Sequence, residues 1–135
     1  MENLNARMKA LANFLGANGV SYNESTGIFN TCDKEYYVFT DDEANKRVEE
    51  YIKETLWAFN PKFIHDMTNI DERMIRVIVN ECENSNEVIE KLIIATCGID
   101  RFIQKAVKCD GRGHFINTWD GEENEEDGYL IYRIG

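Results

Sequence analysis

The stretch Glu35-Tyr36-Tyr37-Val38-Phe39-Thr40-Asp41-Asp42-Glu43 decides the fold class, because two kinds of local structure meet inside it. Residues 35–39 are mostly aromatic or β-branched, the composition of a strand. Thr40-Asp41-Asp42-Glu43 is a capping box. The Thr40 hydroxyl can accept from the backbone N–H three residues on, and the Glu43 carboxylate can reach back to the N–H of Thr40. The two aspartates also suit the positive end of a helix dipole. A strand that runs straight into a capped helix indicates mixed α and β structure.

Working backwards, Val20-Ser21-Tyr22 and Gly27-Ile28-Phe29-Asn30-Thr31 are two more short strand-like runs. Asn23-Glu24-Ser25-Thr26 and Cys32-Asp33-Lys34 separate the three with turn chemistry, which predicts an antiparallel meander. Before it, Leu4, Met8, Leu11 and Leu15 form one apolar stripe, so a helix is expected over 4–15 with Gly16 as its left-handed cap. Working forwards, Ala44, Val48, Tyr51, Ile52, Thr55, Leu56 and Phe59 hold helical spacing, predicting a helix over 41–59. Asn60-Pro61 ends it and opens a short helix over 61–67. Asp71, Asn84 and Asp100 then cap helices over 72–83, 86–97 and 101–108. Met74, Ile75, Ile78, Val79 and Cys82 point inward on the first of these. Gly98 closes the second. Phe115–Trp119 reads as a strand, Asp120–Gly128 as an acidic loop, and Tyr129–Ile134 as a final strand returning as its hairpin partner.

The expected architecture is α+β: a short antiparallel β-meander plus a C-terminal β-hairpin, with about five to six helices packed on one face. With 135 residues, one proline and no linker-like composition, a single domain over 1–135 is the expectation. Hydrophobic residues make up 43%, which places the chain among globular proteins. The net charge of −10 argues against direct, non-specific binding of nucleic acid. No run approaches a membrane span. The start, Met1-Glu2-Asn3-Leu4-Asn5, carries no signal-peptide pattern, so a cytoplasmic location is expected. Cys32, Cys82, Cys97 and Cys109 contain no Cys-x-x-Cys pair and are expected as free thiols, with Cys82 and Cys97 in the core. His65 and His114 are the only histidines, and neither a metal nor another cofactor is expected.

The strongest compositional feature is residues 120–127, with six acids in eight positions and no base. Three roles are open for it: imitation of nucleic-acid phosphate against a basic groove, capture of a divalent cation, or simple solubility. The spacing does not follow the calcium loop of helix–loop–helix proteins. Trp119 and Tyr129 flank the run and offer apolar anchors to a partner, beside Asp120, Glu122, Glu123, Glu125, Glu126 and Asp127. Asp41, Asp42, Glu43, Glu49, Glu50 and Glu54 form a second acidic region, which joins the first only if the fold brings them together.

A second candidate is Asp110-Gly111-Arg112-Gly113-His114. Glycines on both sides of Arg112 let backbone approach a ligand, Arg112 can hold an anion, and His114 can act as acid or base oriented by Asp110 or Asp120. No nucleophile elbow, phosphate loop, dinucleotide fingerprint or zinc-protease motif accompanies it. Asp110, Arg112 and His114 would be the catalytic set if the chain were an enzyme; a structural turn is the alternative.

Taken together, Tyr51-Ile52-Lys53-Glu54-Thr55-Leu56-Trp57-Ala58-Phe59, Asp110-Gly111-Arg112-Gly113-His114-Phe115, Trp119-Asp120-Gly121-Glu122-Glu123 and Tyr129-Leu130-Ile131-Tyr132-Arg133 resemble small acidic accessory proteins of bacteriophages and mobile elements. The resemblance implies a protein acting inside a bacterial host. Many such proteins antagonise host defence, and several are acidic nucleic-acid mimics. The expectation is a non-enzymatic inhibitor of a host nucleic-acid-binding protein or nuclease complex, such as a CRISPR effector. A small enzyme or ligand binder at Arg112 and His114, or a structural dimerisation module, are the alternatives.

Overall fold

In the computed structural model, which describes residues 1–135, the capping box at Thr40 forms. Glu43 Oε1 accepts from the Thr40 N–H at 2.8 Å, and Thr40 Oγ1 accepts from the Glu43 N–H at 3.3 Å. The strand before it and the helix after it are both present, and the protein is α+β with a five-stranded antiparallel sheet.

The chain divides into two compact units, residues 1–48 with 110–135, and residues 49–109. The first holds the whole sheet. Helix α1 (Leu4–Leu15) ends at Gly16, whose φ of 64° is the expected left-handed cap. Strands β1 (Ser21–Asn23), β2 (Ile28–Thr31) and β3 (Lys34–Phe39) form the meander, paired Tyr22 to Phe29 and Phe29 to Tyr36. The last strands, β4 (Asn124–Glu126) and β5 (Tyr129–Arg133), form the hairpin. Strand β5 inserts beside β3, giving the order β1-β2-β3-β5-β4. Leu11 of α1 packs with Phe29, Tyr36, Val38 and Ile131 in a core closed to water.

One charged group lies in that layer. Arg7 shares the helix face with Leu4 and Leu11 and is buried, yet all three nitrogens of its guanidinium donate hydrogen bonds. It donates to the carbonyls of Val38 and Glu2, each at 3.0 Å, and forms an ion pair with Glu43. A buried guanidinium is tolerated because it is paired and hydrogen-bonded.

The sequence expectations for the C-terminal region need two corrections. Phe115–Trp119 is not a strand: Arg112–Ile116 is a short helix, α7, with Gly113, Phe115 and Ile116 buried. The partner of β5 comes instead from inside the acidic run, with Glu126 opposite Tyr129. The turn between them is Asp127-Gly128, with φ of 53° and 83°. Positive φ at both central residues is the backbone of the two-residue turn that matches strand twist, and Asp-Gly is its usual composition.

The second unit is helical. Helix α2 (Asp41–Glu54), which begins in the first unit and ends in this one, was expected to reach residue 59 but stops at Glu54, followed by a single 3₁₀ turn, Leu56–Ala58. Asn86 explains the stop: its amide nitrogen donates to the Lys53 carbonyl at 2.7 Å, and its side-chain oxygen accepts from the Trp57 N–H at 3.1 Å. A distant side chain thus satisfies the backbone groups that continued helix would have used.

Helix α3 (Pro61–Thr68) starts on Asn60, which accepts from the Lys62 N–H at 3.0 Å. Phe59, Phe63 and Phe102 form an aromatic cluster with ring centres 5.2–5.8 Å apart. Helices α4 (Glu72–Glu81), α5 (Ser85–Thr96) and α6 (Ile99–Asp110) complete the unit. Asp71 caps α4 through the Arg73 N–H at 2.8 Å. Asn84 precedes α5 without a side-chain cap, and Asp100 lies inside the first turn of α6 rather than before it.

On α4 only Ile75 is fully buried; Met74 and Cys82, expected inward, are exposed. Cys82 stands just past the helix with extended backbone (φ −94°, ψ 129°), which turns its thiol off the apolar stripe. Cys97 is half-buried, and all four cysteines are free. No helix is long and apolar enough to cross a membrane.

Candidate functional site: a braced acidic hairpin

The acidic run is not a loose loop. Asn117, buried at the end of α7, organises its first half. The Asn117 side-chain oxygen accepts from the backbone N–H groups of Trp119 and Asp120, both at 2.9 Å, and its amide nitrogen donates to the Glu122 carbonyl at 2.9 Å. Asp120 then accepts from the Glu122 N–H at 3.0 Å. Gly113 lets this segment lie directly against α7. A Cβ there would collide with the Gly121 carbonyl oxygen and fall 3.0 Å from the backbone of Glu122 and Glu123.

Arg112 ties the segment to the start of α2. Its Nε and Nη2 donate to the two oxygens of Glu123 at 3.0 and 3.2 Å. Its Nη1 donates to Asp41 Oδ1 at 2.8 Å and to Asn45 Oδ1 at 2.9 Å. The Arg112 side chain is only 18% exposed. Burial disfavours its charge, but the bonds to Glu123 and Asp41 outweigh that and raise its pKa. Tyr132, from the middle of β5, donates its hydroxyl to Glu123 Oε1. Burial first, and the Glu123 carboxylate second, push the Tyr132 phenol well above the ordinary value.

This placement differs for each candidate residue. Glu123 turns its carboxylate to Arg112 and Tyr132 and is neutralised by Arg112, although a third of its side chain remains exposed. Asp120, Glu122, Glu125 and Asp127 are exposed and Glu126 is half-buried, and none of these five pairs with a base. Asp127 accepts from the Asn13 amide at 3.0 Å, which fixes the hairpin tip to α1. Trp119 is 61% exposed, with the Arg133 guanidinium 3.6 Å above its ring centre. Tyr129 is half-buried beneath Arg7, 5.3 Å from its ring centre.

Asp110 and His114 are exposed, and no hydrogen bond joins His114 to Asp110 or Asp120. Its ring meets only that of Phe115, edge-on at 5.0 Å. The Arg112 fork is thus filled by protein carboxylates, while His114 has no orienting partner.

Asp41, Asn45, Asn117 and Tyr132 are the members of this site that sequence reasoning missed. The strand expected over Phe115–Trp119 masked the Asn117-Thr118-Trp119-Asp120 turn, whose composition is turn chemistry; Asp41 lies 71 positions from Arg112 and left no local signal. Through Arg112, the Asp41-Asp42 first turn of α2 comes beside the acidic hairpin, so these two aspartates and the hairpin acids share one surface. The unit that carries them has fourteen acids and seven bases. No group of three or more His, Cys, Asp or Glu side chains is arranged to hold a metal ion. No protein-family model, characterised protein or solved structure matches the chain.

Proposed function

We propose that the protein is a non-enzymatic inhibitor that occupies a basic, nucleic-acid-binding surface of a host protein or nuclease complex, using the acidic hairpin in place of phosphates. The observation that carries this is the contrast within the acidic run: one carboxylate, Glu123, is spent on an internal brace, and the five around it stand on a backbone ordered by Asn117 and the hairpin, none of them paired with a base. Fixed, unneutralised carboxylates steer and select a cationic partner. Trp119 at the rim supplies the apolar contact that charge alone does not. The likeness to small acidic phage proteins supplies the context of a host defence system, and a CRISPR effector is the leading target class. The site of action would be the bacterial cytoplasm.

The test is capture of host proteins on the immobilised chain after nuclease treatment of the lysate, at rising salt and with competing DNA. The comparison variant carries Asp120→Asn, Glu122→Gln, Glu125→Gln, Glu126→Gln and Asp127→Asn, and keeps Glu123. A nucleic-acid-binding protein should be retained, be displaced by DNA, and bind at least about tenfold more weakly to the variant, because several charge contacts are lost together. Equal capture by a variant of unchanged fold would overturn the proposal.

A further inference from the structure

The helical unit carries a feature of opposite sign. Arg101, Gln104, Lys105 and Lys108 of α6, with Met67 of α3, line an open groove of about 280 Å³. Phe102, Ile103 and Ala106 turn the other face of α6 into the core, so the four polar side chains all face outward. Arg101, Lys105 and Lys108 fall at i, i+4 and i+7, one stripe of the helix spanning about 10 Å along its axis.

None of the three cations has a carboxylate or any other hydrogen-bonding partner. Arg7, Lys53, Arg73, Arg76 and Arg112 are paired with acids, while Lys9, Lys34, Lys46, Lys62 and Lys91 are unpaired; what sets Arg101, Lys105 and Lys108 apart is that they line one hollow together. In residues 49–109 eleven acids face eight bases, so three unpaired cations lining one hollow is a local reversal of charge.

We infer that this groove binds a compact polyphosphate, a ligand with two or three linked phosphates. Arg101 provides a planar fork suited to phosphate oxygens, and Lys105 and Lys108 add point charges one helical turn further along. Gln104 adds an amide that can donate and accept, and Met67 a polarisable apolar wall suited to a ring. The groove is at the small end of ligand sites. A long nucleic-acid strand would leave the cations after about 10 Å, which favours a short ligand. This site is independent of the hairpin.

The test titrates the full chain, without divalent cations and at low salt, with inorganic tripolyphosphate, a nucleoside triphosphate and a single-stranded oligonucleotide of about 20 residues. Both short ligands carry the shared chemistry: equal affinity assigns inorganic polyphosphate as the source, and tighter binding of the nucleoside form assigns a nucleotide. The triple variant Arg101→Gln, Lys105→Gln, Lys108→Gln should bind at least about tenfold more weakly, as expected for the loss of three charge-assisted contacts. Lys105→Glu, a single change at an exposed position, should weaken binding on its own, and Lys91→Gln on α5 should not. No binding of either short ligand at millimolar concentration, affinity of the triple variant within about twofold of the parent, or binding of the oligonucleotide alone would overturn the assignment.

Discussion

Tyr132 and Arg112 donate to the same carboxylate oxygen, Oε1 of Glu123. The interior strand β5 and the short helix before the acidic run therefore share one acceptor, and the hairpin is held by a charge placed between them. Replacing Arg112 by Ala should cost about 1–3 kcal/mol, since it strands a partly buried carboxylate against Tyr132. Most of that belongs to Glu123. Asp41 is 73% exposed, and its bond to Arg112 is screened by water. Glu123→Gln should cost less, and the double variant less than the two single changes added, because both remove one interaction. Urea unfolding of the four proteins checks this. Tyr132→Phe should also flatten the alkaline limb. A phenol raised in the folded state contributes stability below its unfolded pKa near 10, and that stability is lost as pH rises above it.

Gly113 is predicted to be intolerant for a reason unrelated to flexibility. Its φ is not in the left-handed region, so alanine is conformationally allowed there. The obstacle is the Gly121 carbonyl, which occupies the space of a Cβ and belongs to backbone rather than to a yielding side chain. Gly113→Ala should destabilise by about 1–3 kcal/mol, as overpacking does, and detach the first half of the acidic run. A fall in melting temperature, with faster amide exchange at Trp119–Glu123, is the expected result. An unchanged melting temperature would mean that the run yields freely. Gly111→Ala is the contrast: its Cβ meets nothing, and its cost is that of φ 84° alone.

How far the sequence reached follows the range of the interactions. Helix α1, the meander and the Thr40 box were legible because their signals are local: an apolar period, turn residues, and a cap three positions from its partner. The Asp127-Gly128 turn was equally local, but it sits in an acidic run, and Asn-Glu-Glu has no strand propensity of its own. Strand β4 exists because β5 offers it a ladder. The early stop of α2 and the bridge from Arg112 to Asp41 depend on residues 33 and 71 positions away, which no local pattern reports. The acidic run was legible as a charge cluster. The division of labour within it, with Glu123 as a brace, was not.

The Arg7–Glu43 pair makes stability sensitive to acid. Burial alone would raise the Glu43 pKa; the Arg7 hydrogen bond and the Thr40 backbone N–H outweigh it and hold the carboxyl below the ordinary value of 4.5. A depressed carboxyl contributes stability that is complete above its unfolded pKa and lost as pH falls through the folded one. Glu43→Gln should therefore cost about 1–3 kcal/mol at pH 7, through the weakened cap and the unpaired buried Arg7. The difference between variant and parent should shrink as pH falls below the ordinary carboxyl value of 4.5 and through the lowered folded one. Denaturant midpoints at several pH values read this directly. A gap that stays constant down to pH 3 would show that the carboxylate charge is irrelevant and that only side-chain shape counts.

Trp119 separates binding from stability. Its ring is stacked under Arg133 but 61% exposed, so Trp119→Ala removes one exposed cation–π contact worth about 0.5–1 kcal/mol and little burial. The melting temperature should fall only slightly. Partner binding should suffer far more, by about 2 kcal/mol or roughly thirtyfold, if the indole is the apolar anchor beside the carboxylates. Salt dependence should be retained in this variant, since the charges remain, whereas the five-fold neutralised hairpin should lose it. A Trp119→Ala protein that captures the same partner with parental affinity would leave the carboxylates as the whole interface. Trp57, also exposed at 51% but on the 3₁₀ turn of the helical unit, is the matched control: Trp57→Ala should leave that capture unchanged.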